Sequence, residues 1–206
     1  MKHNKISYYR LFHACPNAPS VDVYLNNNLV AERLEYGQFT PYTAIPPGKY
    51  SLLVFPSGTS YNPLMKTELQ IQEEEIYTVA ITGLPMKPIL LPIEDPKQPI
   101  PRGKLGLRFG NLSPTPANLN VYLSNGDLLF DKVPFKEVTD YIFLFPGKYT
   151  IEIVDADTDK TLLFVPNIVL KPDRCYSIYA IGLLDNQPYL QVVIPLDGSS
   201  YLNFQN

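Results

Sequence analysis

Three side chains capable of nucleophilic, acid–base or metal chemistry stand within ten residues of one another near the start of the chain: His13, Cys15 and Asp22, in HACPNAPSVDVYL. A thiol becomes a nucleophile when a base takes its proton and a third group orients that base. His13 and Cys15 are two apart, so an extended segment would project both to one side. No second histidine is near in sequence, and the matching places of a later repeat hold Asn111 and Ser113. The competing reading is a loop that crosses between two sheets. Pro16 and Pro19 would fix its path, and His13 would donate to a backbone carbonyl.

Other constellations are thinner. The zinc-capable groups His3, His13, Cys15 and Cys175 lack the paired spacing of ligands on hairpins. Asp155, Asp157 and Asp159 alternate in VDADTDKT like the start of a calcium loop, but Lys160 and Pro166 stand where such a loop needs its glycine and its bidentate glutamate. A solvated hairpin tip is the alternative. Glu73, Glu74 and Glu75 read as an acidic turn. Asp22 and Asp95 have no acidic partner in sequence, so no carboxylate pair for glycoside hydrolysis emerges. Tyr61 and Tyr201, in a predicted loop and the tail, are candidate platforms for a sugar ring. The residues name no catalytic set and no cofactor.

The elements that must position these groups are short. Twenty-one prolines and 11 glycines punctuate runs of Val, Ile, Leu, Tyr and Phe, leaving no room for long helices. SVDVYL alternates, so Val21, Val23 and Leu25 are expected on a dry face and Asp22 and Tyr24 on a wet one. Internal similarity is stronger still. SVDVYLNNN from Ser20 matches NLNVYLSNG from Asn118 at an offset of 98, while PGKYSLLV from Pro47 matches PGKYTIEI from Pro146 at 99. YTVAITGL from Tyr77 matches YSIYAIGL from Tyr176, again at 99, and Arg10 and Arg108 open the copies in step. An offset held through so many turns means a duplicated domain.

The expected domains are 1–96 and 97–206, joined by a proline-rich connector at about 94–103, EDPKQPIPRG. Strands are expected at 6–12, 20–25, 29–33, 39–45, 49–55, 64–71, 75–82 and 88–93 of the first copy. Pro47-Gly48 and Pro146-Gly147 fit the middle of type II turns, and Asn125-Gly126 is a hairpin signal. The fold class is therefore all-β: two tandem antiparallel β-sandwiches, immunoglobulin-like or of a similar Greek-key topology.

Bulk properties exclude several classes. A net charge of −3 and a pI near 5.4 offer no basic field for a nucleic-acid backbone. No apolar run reaches the ~18 to 20 residues of a membrane span, and MKHNKISYYR carries no apolar stretch of an export signal. Cys15 and Cys175 occupy unrelated places in the repeat, which argues for free thiols over a bridge.

HACPNAPSVDVYLNNNLV followed by LEYGQFTPYTAIPPGKYSLLV resembles the bacterial family known as domain of unknown function 4397. That family opens on His-Ala-Ser-Pro-Asp-Ala-Pro-x-Val-Asp-Val-Tyr and continues to an aromatic-Gly…Tyr…Pro-x-Gly-x-Tyr segment. Here Cys15 replaces the usual serine and Asn17 the usual aspartate, and the second copy keeps the skeleton NLSPTPANLNVYL. The resemblance implies two tandem copies and a place in secreted, cell-surface or spore-surface proteins, with no enzymatic activity assigned.

The leading expectation is a non-catalytic structural or adhesion-type module. Its partners would be surface or matrix proteins, or a second copy joined through edge strands or through the terminal segments MKHNKISYY and DGSSYLNFQN. A carbohydrate-binding module is the alternative, and a hydrolase built on Cys15 and His13 the third reading.

Overall fold

The computed structural model describes residues 5–202 and 204. The chain is all-β and divides into two compact units, one comprising Met1–Lys97 with Tyr201–Asn206 and the other Gln98–Ser200. Each unit is a sandwich of two four-stranded sheets. In the first unit β1 (Ser7–His13), β4 (Thr43–Ile45), β7 (Ile76–Leu84) and β8 (Lys87–Glu94) form one sheet in the order β4-β1-β7-β8. The other sheet, β3-β2-β5-β6, uses β2 (Val21–Leu25), β3 (Asn28–Leu34), β5 (Gly48–Pro56) and β6 (Met65–Ile71).

The second unit repeats this plan. Its sheets are β12-β9-β15-β16 and β11-β10-β13-β14. The strands are β9 (Leu105–Asn111), β10 (Leu119–Leu123), β11 (Leu128–Val133), β12 (Ile142–Leu144), β13 (Gly147–Asp155), β14 (Thr161–Leu170), β15 (Cys175–Ile181) and β16 (Gln191–Val193). Hairpin neighbours pair antiparallel, while β1 lies parallel to β7 and β9 parallel to β15. Inward residues of both sheets meet in a separate core in each unit. Leu11, Val23, Leu52, Leu69 and Val79 are fully buried in the first, and Leu107, Val121, Ile153 and Ile178 in the second.

Turn chemistry explains why the offset between copies changes. Asn26 and Asn27 both take left-handed φ, at 46° and 66°, as a two-residue type I′ hairpin between β2 and β3 requires. The second copy inserts one residue here, and Gly126 alone takes a positive φ, 93°, closing the hairpin between β10 and β11. One extra turn residue therefore converts an offset of 98 into 99.

Two local expectations are corrected. Neither Gly48 nor Gly147 takes the left-handed φ near 80° of a type II turn: Gly48 stands at 154°, pairs with Ile71 and opens β5. The chain does not reverse within a sheet at this point but arches from β4 to β5 in the opposite sheet. A tyrosine closes each arch, Tyr50 Oη donating to Pro46 O at 2.7 Å and Tyr149 Oη to Phe145 O at 2.6 Å. The expected strand 39–45 shrinks to a bridge between Phe39 and Phe12 followed by β4, because Tyr42 between them joins a buried polar network.

The tyrosine arches generate a stability prediction. Tyr149→Phe, which removes the hydroxyl and keeps the ring, is expected to lower the unfolding free energy by about 0.5–1.5 kcal/mol, and Tyr50→Phe by a similar amount. Urea denaturation of the full chain measures both.

Candidate functional site

His13 ends β1, and the chain leaves it to cross into the opposite sheet. The imidazole is fully buried. Its Nε2 lies 3.0 Å from Pro19 O, and its Nδ1 accepts the Cys15 N–H at 3.3 Å. A carbonyl only accepts, so Nε2 carries the proton and the ring is a neutral tautomer with both nitrogens engaged. Burial pushes its pKa below the usual histidine value, outweighing the opposing bond to Pro19. The Cys15 thiol donates to Gly83 O at 3.3 Å, and burial pushes it up to about 11. Since the thiolate is the reactive form, Cys15 is a poor nucleophile at neutral pH.

The second copy makes the same bonds with different atoms. Asn111 Oδ1 accepts the Ser113 N–H at 3.2 Å while Asn111 Nδ2 donates to Val133 O at 3.0 Å and to Ala117 O at 3.5 Å. Ala117 is the counterpart of Pro19. Ser113 Oγ donates to Gly182 O at 2.6 Å, as Cys15 does to Gly83. Imidazole and amide, thiol and hydroxyl are interchangeable here because the task is to satisfy buried main-chain groups where the chain leaves a sheet.

Asp22 is buried, which corrects its expected wet face. The loop after β5 covers it. Its Oδ1 accepts Arg33 N at 2.8 Å and Ser57 Oγ at 2.7 Å, and its Oδ2 accepts Gly58 N at 2.9 Å. Burial alone would push its pKa up, but these donors and the Arg33 charge hold it below the usual carboxylate value. Arg33 itself sits at φ 50°, in a bulge of β3 opposite Asp22. Asn120 braces the matching bulge, accepting Lys132 N at 2.7 Å with Lys132 at φ 47°.

Sequence reasoning missed the most elaborate polar site. Arg10 on β1 and Thr78 on β7 are register partners, and Arg10 Nε donates to Thr78 Oγ1 at 2.9 Å. The guanidinium lies 4.7 Å from the Phe39 ring centroid and 4.6 Å from that of Tyr42. Tyr42 Oη donates to Asp95 Oδ2, just beyond β8. Burial and the Asp95 charge raise the Tyr42 pKa far above the ordinary tyrosine range, keeping it a neutral donor.

The second unit repeats the network. Arg108 Nε donates to Ser177 Oγ at 2.7 Å, while Ser177 Oγ and Tyr141 Oη donate to Asp197 Oδ2 at 2.8 and 2.6 Å. The Arg108 guanidinium lies 4.8 Å from the Tyr141 centroid, and its Nε 3.8 Å from Asp197 Oδ2. Arg10 with Arg108 was visible in step and Tyr42 with Tyr141 keeps the offset of 99, but Asp95 and Asp197 are 102 apart, off the register of the repeat.

The remaining candidates do not converge. Asp155 Oδ1 accepts the N–H groups of Asp157 and Thr158 at 2.9 and 3.2 Å, closing its own turn. Among the described residues no three His, Cys, Asp or Glu gather as metal ligands, the candidates Asp155, Asp157 and Asp159 included. His3 lies outside the described residues. Cys15 and Cys175 are both free and buried. Lys5 Nζ meets Glu74 at 2.9 Å and Glu73 at 3.9 Å. Glu75 is not a plain solvated tip: burial first, then its bond to and repulsion from Glu94, push it up to about 7. Tyr61 is 71% exposed in the β5–β6 loop, whereas the Tyr201 ring stands edge-on to Tyr42 at 6.1 Å.

The family model for Domain of unknown function (DUF4397) matches residues 7–122 and 111–200. The chain belongs to the DUF4397 family. Its two matches correspond to two tandem copies. No curated protein matches the sequence. Among solved structures, the C-terminal domain of AlgF from P. aeruginosa is similar at 19% identity and TM-score 0.36, over 46% of this chain and 99% of that one. A family CBM26 module of Eubacterium rectale Amy13K, in complex with maltoheptaose, is similar at 10% identity and TM-score 0.30, over 94% and 99%. The Bacillus anthracis TIE protein is similar at 13% and 0.26, over 91% of this chain and 34% of that one. Scores this low bear on neither the function nor the partners of the chain. No helix is long and apolar enough to cross a membrane among the described residues.

Four outcomes follow from the braces. His13→Asn with Cys15→Ser, the second copy's residues, is expected to shift stability by less than about 1 kcal/mol, whereas His13→Ala should cost about 2 by orphaning buried main-chain groups. Because the folded His13 pKa is depressed, its contribution is complete above the unfolded value near 6.5 and is lost as pH falls through the folded one. The stability difference between the wild type and His13→Asn should therefore shrink or reverse on acidification; denaturation series at pH 5 and 8 measure it. Asp197→Ala, which leaves Arg108 buried without its carboxylate, should cost about 3–5 kcal/mol in the same assay.

Proposed function

We propose that this DUF4397 protein is a non-catalytic module of a bacterial cell or spore surface, acting through protein–protein contacts. The observation that supports the reading is the exchange of His13, Cys15 and Asp22 for Asn111, Ser113 and Asn120 with the main-chain bonds retained. The duplicated architecture keeps shape and lets acid–base and nucleophilic character go.

Contacts then fall to the surface, where the copies differ. The outermost strand β6 presents Lys66, Glu68 and Gln70 to solvent, a charged edge that discourages a neighbouring strand. Its counterpart β14 carries no charge between Thr161 and Leu170 and exposes Phe164 and Val169, at 55% and 64%. The terminal segments fit the role of donated strands less well. Ser7–Tyr9 lie in β1, paired with β4 on one side and β7 on the other. In the tail, Tyr201 leans on Tyr42 and Phe204 on Tyr8 and Lys97 of the same unit. Residues 1–4, 203, 205 and 206 of those segments lie outside the described residues.

Sedimentation of the full chain tests the reading. Self-association in the high-micromolar range is expected, with Phe164→Lys weakening it at least tenfold and leaving the far-ultraviolet spectrum unchanged. A chain that stays monomeric and holds no surface protein overturns it. A glycan array provides the contrasting arm: binding abolished by Tyr61→Ala or Tyr201→Ala would favour the carbohydrate-binding alternative.

A further inference from the structure

Equivalent sheets of the two units each carry a row of side chains across their outer face. In β5 the core takes Leu52 and Val54, so Leu53 between them points outward. Its register partners are Tyr24 on β2 and Lys66 on β6, and Leu29 on β3 stands opposite Tyr24. The row of the first unit is therefore leucine, tyrosine, leucine, lysine. In β13 the core takes Ile151 and Ile153, and Glu152 points outward with Tyr122 on β10 and Phe164 on β14 as its partners. Leu128 on β11 stands opposite Tyr122, so the second row is leucine, tyrosine, glutamate, phenylalanine.

The rows agree in their first two members and exchange character in the last two. Glu152 replaces Leu53 at an offset of 99, and Phe164 replaces Lys66 at 98. One face ends on an apolar group and then a cation, the other on an anion and then an aromatic ring. Lys66 and Phe164 are exposed, while Leu53 and Glu152 are half-buried. Among the described residues neither Lys66 nor Glu152 enters an ion pair.

This exchange makes the two faces complementary to each other and not to themselves. Turning one face over about an axis along its strands reverses the order of its row. The second face so turned can set Phe164 against Leu53 and Glu152 beside Lys66. Toward the arches Lys66 is followed by Glu68 on β6 and Glu152 by Lys148 on β13, so the same superposition brings a second pair of opposite charges together. Two copies of the first face would set each Lys66 over a Leu53, and two copies of the second each Glu152 over a Phe164. Either leaves charges out of water without a counter-ion, which is costly.

We propose that the outer face of β3-β2-β5-β6 docks on the outer face of β11-β10-β13-β14 of a second copy of this chain, with Lys66 beside Glu152 and Leu53 against Phe164. The contact is heterologous. Each copy brings one face of each kind, so association continues past the dimer into rings or filaments. The proposal rests on the protein-contact reading above and names the surface that Phe164 meets.

Sedimentation of the full chain at rising concentration is the test, and the wild type is expected to show species larger than a dimer. Lys66→Glu and Glu152→Lys, each of which sets like charges together, should each weaken association at least tenfold. An equimolar mixture of these two variants restores every opposite pairing and should recover association to within threefold of the wild type, as should one chain carrying both substitutions. Lys87→Glu, at an exposed position of β8 and with the same change of net charge, should leave association unaltered.

Single variants that associate like the wild type, a mixture no stronger than its components, or assembly that stops at a dimer would overturn the proposal. So would a monomeric chain that binds a glycan through Tyr24 and Tyr122. Association broken by Phe164→Lys and indifferent to both charge reversals removes the face-to-face contact and keeps the module reading. A chain that stays monomeric and holds no surface protein loses both.

Discussion

A buried arginine beside a small hydroxyl and a tyrosine, with a carboxylate that accepts from the tyrosine, organises each sandwich. Arg10 stands on β1, Thr78 on β7, Asp95 just beyond β8 and Tyr42 just before β4, so one cluster reaches every strand of that sheet. Arg108, Ser177, Asp197 and Tyr141 do the same for β9, β15, β16 and β12. A charge away from water is tolerated when its partner is close and the remaining donors are satisfied. The parallel pairing of β1 with β7 makes Arg10 and Thr78 register partners, and Tyr42 joins them from the irregular approach to β4.

With that frame set, the residues that looked reactive have little freedom to react. His13, Cys15 and Asp22 each stand where the backbone leaves regular pairing, at the end of β1, in the crossing loop and opposite the bulge of β3. Main-chain groups there lack ladder partners and must find side chains. An imidazole, a thiol and a carboxylate serve in one copy; an amide, a hydroxyl and a second amide serve in the other. Duplication within one chain thus acts as an internal control that separates what the fold requires from what a reaction would require.

The surface shows the opposite pattern. Where β6 presents Lys66 and Glu68, β14 presents Phe164 and Val169; where the second unit packs Leu107 beside Ile142, the first sets Tyr9 beside Thr43. Substitutions of this kind alter what the edges and corners offer to another molecule while the buried bracing stays the same.

Period-two alternation, the punctuating prolines and glycines and the near-constant offset of 98 to 99 were enough to specify two β-sandwiches and most strand positions, because strand pattern and turn chemistry are local properties. Three features needed the folded chain. The Pro-Gly arches are not type II turns, since whether a chain reverses within a sheet or crosses to the other depends on the partner that Gly48 finds in Ile71. Asp22 is buried by a loop more than 30 residues away in sequence. Asp95 and Asp197 belong to equivalent networks although 102 residues separate them, because insertions between β15 and β16 shift the count without moving the carboxylate. Residue type and spacing reveal what a side chain is able to do; burial and the choice of hydrogen-bond partner, both long-range, decide whether it does.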